Sequence, residues 1–139
     1  MSFNGTSNYI ASDELRLAVN AAINPLVALN GVRNGELRGE AYAGHVVAVV
    51  KEVAAIMLAE GIAPPNDGNG EDAWLALVWQ VVENTANNKA SMLQDVEAKR
   101  PTERGAILGP LIESAQRHGL ACEALQELDK ELAELEASF

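Results

Sequence analysis

The sequence predicts an all-α domain of about six helices. Three observations carry that expectation. Apolar residues recur at three- and four-residue steps over long segments, and no stretch alternates apolar with polar as a half-buried strand would. A dense breaker cluster, Pro64 to Gly70, separates two of those segments, and Gly31, Gly61 and Gly119 mark the ends of others. The chain is 48% apolar but only 4% aromatic, which gives the aliphatic, alanine-rich core that packed helices favour. A length of 139 residues suits one domain with a sizeable core. Residues 1–11 read as a flexible lead-in and residues 12–139 as a single helical domain.

Each element follows from local signals. Ser12 is a candidate N-cap, and Asp13 and Glu14 fall in the first turn behind it, where the helix dipole favours acids. Leu15, Val19, Ala22, Ile23 and Leu26 then form one apolar stripe that ends near Asn30-Gly31. Pro25 lacks a backbone N–H and disfavours helical geometry at Asn24, so a kink or restart is expected there. Glu36 to Glu40 reads as a short helical turn. Tyr42 to Glu60 is the longest periodic segment: its β-branched run from His45 to Val50 continues into Lys51-Glu52-Val53-Ala54 without a turn signal, which favours helix over strand. Gly61 closes it, and Pro64 to Gly70 is a breaker cluster.

A further helix is expected from Glu71 and Asp72 through Val82, capped by Asn69 or Gly70. A short one follows over Ala90 to Lys99. Another opens at Thr102-Glu103 and runs to His118, with Gly119 as its C-terminal cap. The last helix spans Glu123 to Ala137, with Leu125, Leu128, Leu132 and Leu135 on one side and a strongly acidic solvated face on the other.

Charge excludes some functions. Twenty acidic against ten basic residues give a net charge of -10, which opposes binding to nucleic acid or an anionic membrane. No continuous apolar run approaches about eighteen residues, so no membrane span is expected. No basic-then-apolar N-terminal pattern marks a secretory leader. A lone cysteine, Cys122, forms no internal disulfide and fits a reducing, cytoplasmic setting.

The chemistry-bearing patterns are few. No glycine-rich phosphate loop is present, so no nucleotide cofactor is expected, and two histidines with one cysteine are a poor metal cluster. His118 and Cys122 lie four apart, but Gly119 between them ends the helix and would turn them away from each other. His45 belongs at a helix surface or core edge. More informative is the ladder Arg16, Asn20, Asn24, which stacks one guanidinium and two carboxamides on a single helix face. A second polar concentration runs from Asn84, Asn87 and Asn88 through Ser91 to Thr102 and Glu103. Taken alone, either set equally describes solvent-facing residues, caps and loop polars.

Two segments, RLAVNAAINPLVALNGVRNGEL from Arg16 to Leu37 and ENTANNKASMLQDVEAKRPTE from Glu83 to Glu103, together resemble the C-terminal helical domain of the ketopantoate reductase (2-dehydropantoate 2-reductase) family. The likeness extends from about Ser12 to His118, and weakly over the last helix. It implies a helical fold similar to the C-terminal domain of 6-phosphogluconate dehydrogenase. In the family this domain is joined to an NADPH-binding Rossmann domain, with substrate in the cleft between them. By the resemblance Asn20 and Asn24 face substrate, Asn88 and Ser91 hydrogen-bond its hydroxyl and carboxylate, and Glu103 supports binding and catalysis. Arg16 stands where the family has its catalytic lysine. A guanidinium remains charged and is a poor proton donor, although it grips a carboxylate through two bonds. Arg104-Gly105-Ala106-Ile107-Leu108-Gly109 and Leu120-Ala121-Cys122-Glu123 also depart from the family pattern, at the far wall of the pocket.

The Rossmann half is absent from these residues, and three functional expectations follow. The chain is a substrate-binding domain for a small oxo or hydroxy carboxylic acid, unable to transfer hydride alone. Alternatively, it is a cofactor-free isomerase, cyclase or dehydratase with Glu103 as acid or base and Arg16 as anion holder. Or it is an interaction module that pairs with itself or with a separate Rossmann-domain partner. The apolar content of Tyr42 to Glu60 and Asp72 to Val82 exceeds what six helices readily bury, and a homodimer through an apolar helix face is expected.

Overall fold

The computed structural model describes residues 13–139, so the lead-in expected over residues 1–11 and the cap expected at Ser12 lie outside the described residues. The helices are α1 (Asp13–Asn30), α2 (Glu40–Ala59), α3 (Gly70–Asn84), α4 (Ser91–Glu97), α5 (Arg104–Ile107), α6 (Gly109–Arg117) and α7 (Glu123–Ala137). Two short 3₁₀ turns, Asn34–Arg38 and Pro65–Asp67, lie in the connections, and no strand occurs among the described residues. The domain is all-α, as its periodicity predicts. Its helices number six plus the single turn α5, because the segment expected as one helix from Thr102 to His118 breaks between Ile107 and Gly109. Pro110 at the start of α6 supplies no N–H for a continuing ladder.

Helix α1 is the centre of the packing. It touches α2, α3, α4, α5, α7 and the first 3₁₀ turn. Ala18, Val19, Ala21, Ala22, Ile23, Leu26, Val27 and Ala28 are all buried along it. Of the kink or restart expected at Pro25, the restart does not occur: α1 is one helix through that residue. Burial of apolar side chains on both sides of Pro25, and of the proline itself, holds the two halves against the lost hydrogen bond.

Helix α2 contributes Val46, Val49, Val50, Val53, Ile56 and Met57 to the same core. By length and composition it is the one described helix apolar enough to cross a membrane, with a mean hydropathy of 1.6 over its best window. Here it packs on α1, α3, α6 and α7, and its outer side carries His45 and Lys51. Gly61, at φ +76°, ends it in the left-handed conformation that glycine adopts without penalty.

Two carboxylates of α2 reach across to distant helices. The half-buried Glu52 accepts the backbone N–H of Ala124 at 2.8 Å and that of Leu125 at 2.9 Å. Glu60 accepts the hydroxyl of the fully buried Ser114 and the Arg117 guanidinium, the latter at 2.9 Å, and lies 3.2 Å from Nε2 of His118. His118 is exposed after the end of α6, whereas Cys122 is buried at the start of α7. The imidazole therefore belongs to the Glu60 cluster.

Candidate functional site

Arg16, Asn20 and Asn24 lie at successive four-residue steps on α1, on the side away from its apolar stripe. Arg16 and Asn20 are exposed and Asn24 is half-buried. Among the described residues their side chains make no hydrogen bond or ion pair. The alignment of these three is local helix geometry. As a whole, α1 packs against α4 and α5. Ser91 is the first residue of α4, and Glu103 immediately precedes α5; both are exposed.

Asn88 sits in the turn after α3, and that turn is clamped by the residues just after α1. The Asn34 N–H donates to the Asn88 carbonyl at 3.2 Å, and the Gly35 N–H to the Ala86 carbonyl at 2.9 Å. The Arg33 guanidinium donates to the Asn87 carbonyl at 2.6 Å. The Asn34 carboxamide donates to Thr85 Oγ1 at 2.9 Å, and that hydroxyl donates on to the Val81 carbonyl. Asn34 is 7% exposed, and its Oδ1 is buried without a partner among the described residues. Gly35 is required by the approach: a Cβ there would stand 2.7 Å from that of Ala86. The Arg33-Asn34-Gly35 clamp escaped sequence reasoning because its partners lie more than fifty residues away.

Glu103 is fixed by its neighbours. Its carbonyl accepts the N–H groups of Ala106 and Ile107, both at 3.0 Å. Thr102 donates its hydroxyl to Glu136 at 2.5 Å, and Arg104 donates to Asp129 at 2.7 Å while its Nε lies 3.5 Å from Glu136. Much of the other polarity of this region serves local structure. Lys89 pairs with Glu97, Arg100 with Asp95, and the Gln94 amide donates to the Lys89 carbonyl.

Two surface grooves, of about 310 and 300 Å³, include none of these residues. The first lies between α1, α2 and α7 beside Tyr42, His45 and Glu131; the second lies beside Leu58 and Trp74. His45 is exposed, in keeping with a helix-surface position. No group of three or more His, Cys, Asp or Glu residues among those described is arranged to hold a metal ion.

The fold is thus an all-helical domain whose central helix shows apolar side chains to the core and a polar row to solvent. Over residues 9–136 the chain matches the family model described as ketopantoate reductase PanE/ApbA C terminal, and it belongs to that family. It is 39% identical over 124 residues to the 2-dehydropantoate 2-reductase of Vibrio cholerae, covering 89% of this chain and 40% of that protein. It is 44% identical over 106 residues to the enzyme of the same name from Salmonella typhi, covering 76% of this chain and 33% of that one. A crystal structure of a probable 2-dehydropantoate 2-reductase from Bacillus subtilis superposes with a TM-score of 0.79 at 34% identity, covering 94% of this chain and 42% of that chain. The chain therefore spans 33–40% of the length of these curated relatives.

The family's cofactor, NADPH, needs a cradle for its pyrophosphate. Among the described residues, the glycine-rich approach to a helix start is Gly68-Asn69-Gly70 before α3. Glu71 and Asp72 occupy the first turn behind it, so the helix end that would attract phosphate presents two carboxylates instead. These residues do not fit a dinucleotide.

Proposed function

We propose that the chain is the substrate-side helical domain of a ketopantoate-reductase-type site. In this reading it binds a small oxo or hydroxy carboxylic acid and does not transfer hydride unaided. The observation that carries the reading is the unspent polar row Arg16, Asn20 and Asn24 on a helix packed beside the elements that bear Ser91 and Glu103. Arg16 grips the ligand carboxylate, while Asn20, Asn24, Asn88 and Ser91 supply donors and acceptors for its oxo and hydroxyl groups. Glu103 accepts from a hydroxyl. The nucleotide-binding half that completes such a site is not within these residues. Titration calorimetry of the chain with ketopantoate and a panel of 2-oxo acids tests the reading. Saturable heat that is lost on Arg16→Ala supports it; no heat with any member at millimolar concentration sinks it.

A second reading, compatible with the first, is self-association. The outer side of α2 exposes Val47 and, at 79%, Leu58, beside Ala48 and Ala55. From Ala41 to Ala59 the exposed residues of α2 include Lys51 and no acid, although the whole chain carries a net charge of -10. Two copies meeting on this side bury apolar surface and keep the acidic α7 out of the contact.

A further inference from the structure

Helix α7 carries a run of acids whose commonest role is to keep a helix face wet. Three contacts set two of them apart. Glu136, whose side chain is only 17% exposed, accepts the Thr102 hydroxyl at 2.5 Å and lies 3.5 Å from Nε of Arg104. Asp129 accepts Nη1 of Arg104 at 2.7 Å. Thr102 Oγ1 also accepts the Arg104 N–H at 3.3 Å, which closes the turn locally. The residue between the two anchors is Glu103, and its own side chain is exposed.

We infer that Arg104 and Thr102, held by Asp129 and Glu136, are positioning residues for Glu103, so that α7 shapes the ligand site from behind. This inference rests on the reading above that Glu103 meets the ligand. Three physical points support it. A carboxylate at the head of a four-residue helix has little regular structure to orient it, since one turn contributes few backbone hydrogen bonds. An arginine shared between two carboxylates, at side-chain exposures of 33%, 36% and 17%, is held more firmly than a solvent-exposed pair. The fork geometry of guanidinium also fixes direction as well as distance, which a lysine would not.

The test is a double-mutant cycle between Arg104→Ala and Glu103→Gln, read as ketopantoate affinity by calorimetry and as amide hydrogen exchange at Ala106 and Ile107. Arg104→Ala is expected to weaken binding about tenfold, and to weaken it no further once Glu103→Gln is present. Arg104→Lys is expected to recover part of the loss. Asp129→Asn, which leaves Glu136 in place, serves as the milder variant should Arg104→Ala fold poorly. Additive losses, or unchanged affinity in Arg104→Ala, overturn the inference. If the parent chain binds no ketopantoate, the functional reading falls and exchange decides the anchoring by itself. Faster exchange at Ala106 and Ile107 in Arg104→Ala then sustains the anchor, and exchange equal to the parent overturns it.

Discussion

The Glu52 carboxylate caps a helix to which it does not belong: it accepts the Leu125 N–H at 2.9 Å, and the Ala124 N–H beside it at 2.8 Å. The N-cap residue of α7, Cys122, makes no side-chain cap of its own. Two of the otherwise unsatisfied N–H donors at the head of α7 thus find their acceptor on α2, in a charged group at the positive end of the helix dipole.

Removing that cap should cost more than an exposed ion pair. Glu52→Ala is expected to destabilise the fold by about 0.5–2 kcal/mol, the range for loss of an N-cap side chain. Glu52→Gln, which retains an acceptor oxygen but no charge, should lose less. Urea denaturation of the three proteins measures this. Equal midpoints would show the cap to be energetically idle.

Cys122 should behave as an inert thiol that makes stability fall in alkali. Burial pushes its pKa up from the ordinary 9.0, and the charges of Glu52 and Glu123 push in the same direction. Above 9.0 the unfolded thiol releases its proton while the folded one keeps it. The unfolded state then binds fewer protons, so stability is full below that pH and declines as pH rises towards the folded value. Cys122→Ala should flatten this part of the stability profile, as followed by denaturant midpoints at a series of alkaline pH values. A profile with the same slope in both proteins would assign the decline to other groups. Alkylation of the native thiol at neutral pH should be slow and should accelerate in denaturant.

Gly35→Ala forces the segment after α1 away from the turn that carries Asn88, because the new Cβ meets both side-chain and backbone atoms of Ala86 within 3.0 Å. The expected cost is about 1–3 kcal/mol, as for other overpacked sites. Ala86→Gly should restore only part of it, since the backbone contacts remain. A melting temperature unchanged from the parent would show that the clamp yields easily.

Arg16→Ala should weaken binding of a 2-oxo acid by about 1.5–3 kcal/mol, the range for a hydrogen bond to a charged group. Its stability should stay within about 0.5 kcal/mol of the parent, because an exposed side chain without partners among the described residues holds little together. Calorimetry and a denaturant curve on the same preparation separate the two effects. A stability loss that matches the affinity loss would make Arg16 structural.

Leu58→Glu should keep the protein monomeric if α2 is the contact between copies. Sedimentation across a concentration series is the measurement. The parent is expected to run as a dimer, and a parent mass near 14.8 kDa at high micromolar concentration would refute the contact.

Most of the fold was legible because helices announce themselves locally. Apolar periods with glycine and acidic punctuation locate α1, α2 and α7 almost to the residue. The errors and omissions share one cause, which is that tertiary partners leave no mark on local spacing. Pro25 predicted a kink or a restart, and the core on both sides of it excludes the restart by keeping α1 one helix. The acids of α7 read as a solvated face, yet Asp129 and Glu136 each hold Arg104, 25 and 32 positions earlier in the chain. Of the candidate site, the row Arg16, Asn20 and Asn24 follows from helix spacing alone. The support beneath Asn88 and Glu103 comes from residues that no motif would single out, Arg33 and Arg104 among them.

Helix α1 keeps two independent ledgers on opposite sides. One side carries a large part of the core, and the other carries Arg16 and Asn20, which have no partners among the described residues. The solvent side can therefore drift in sequence while the scaffold stays put, because a residue swapped there leaves the core contacts untouched. The same separation makes the domain a usable chassis: its polar row can be rewritten without renegotiating the fold.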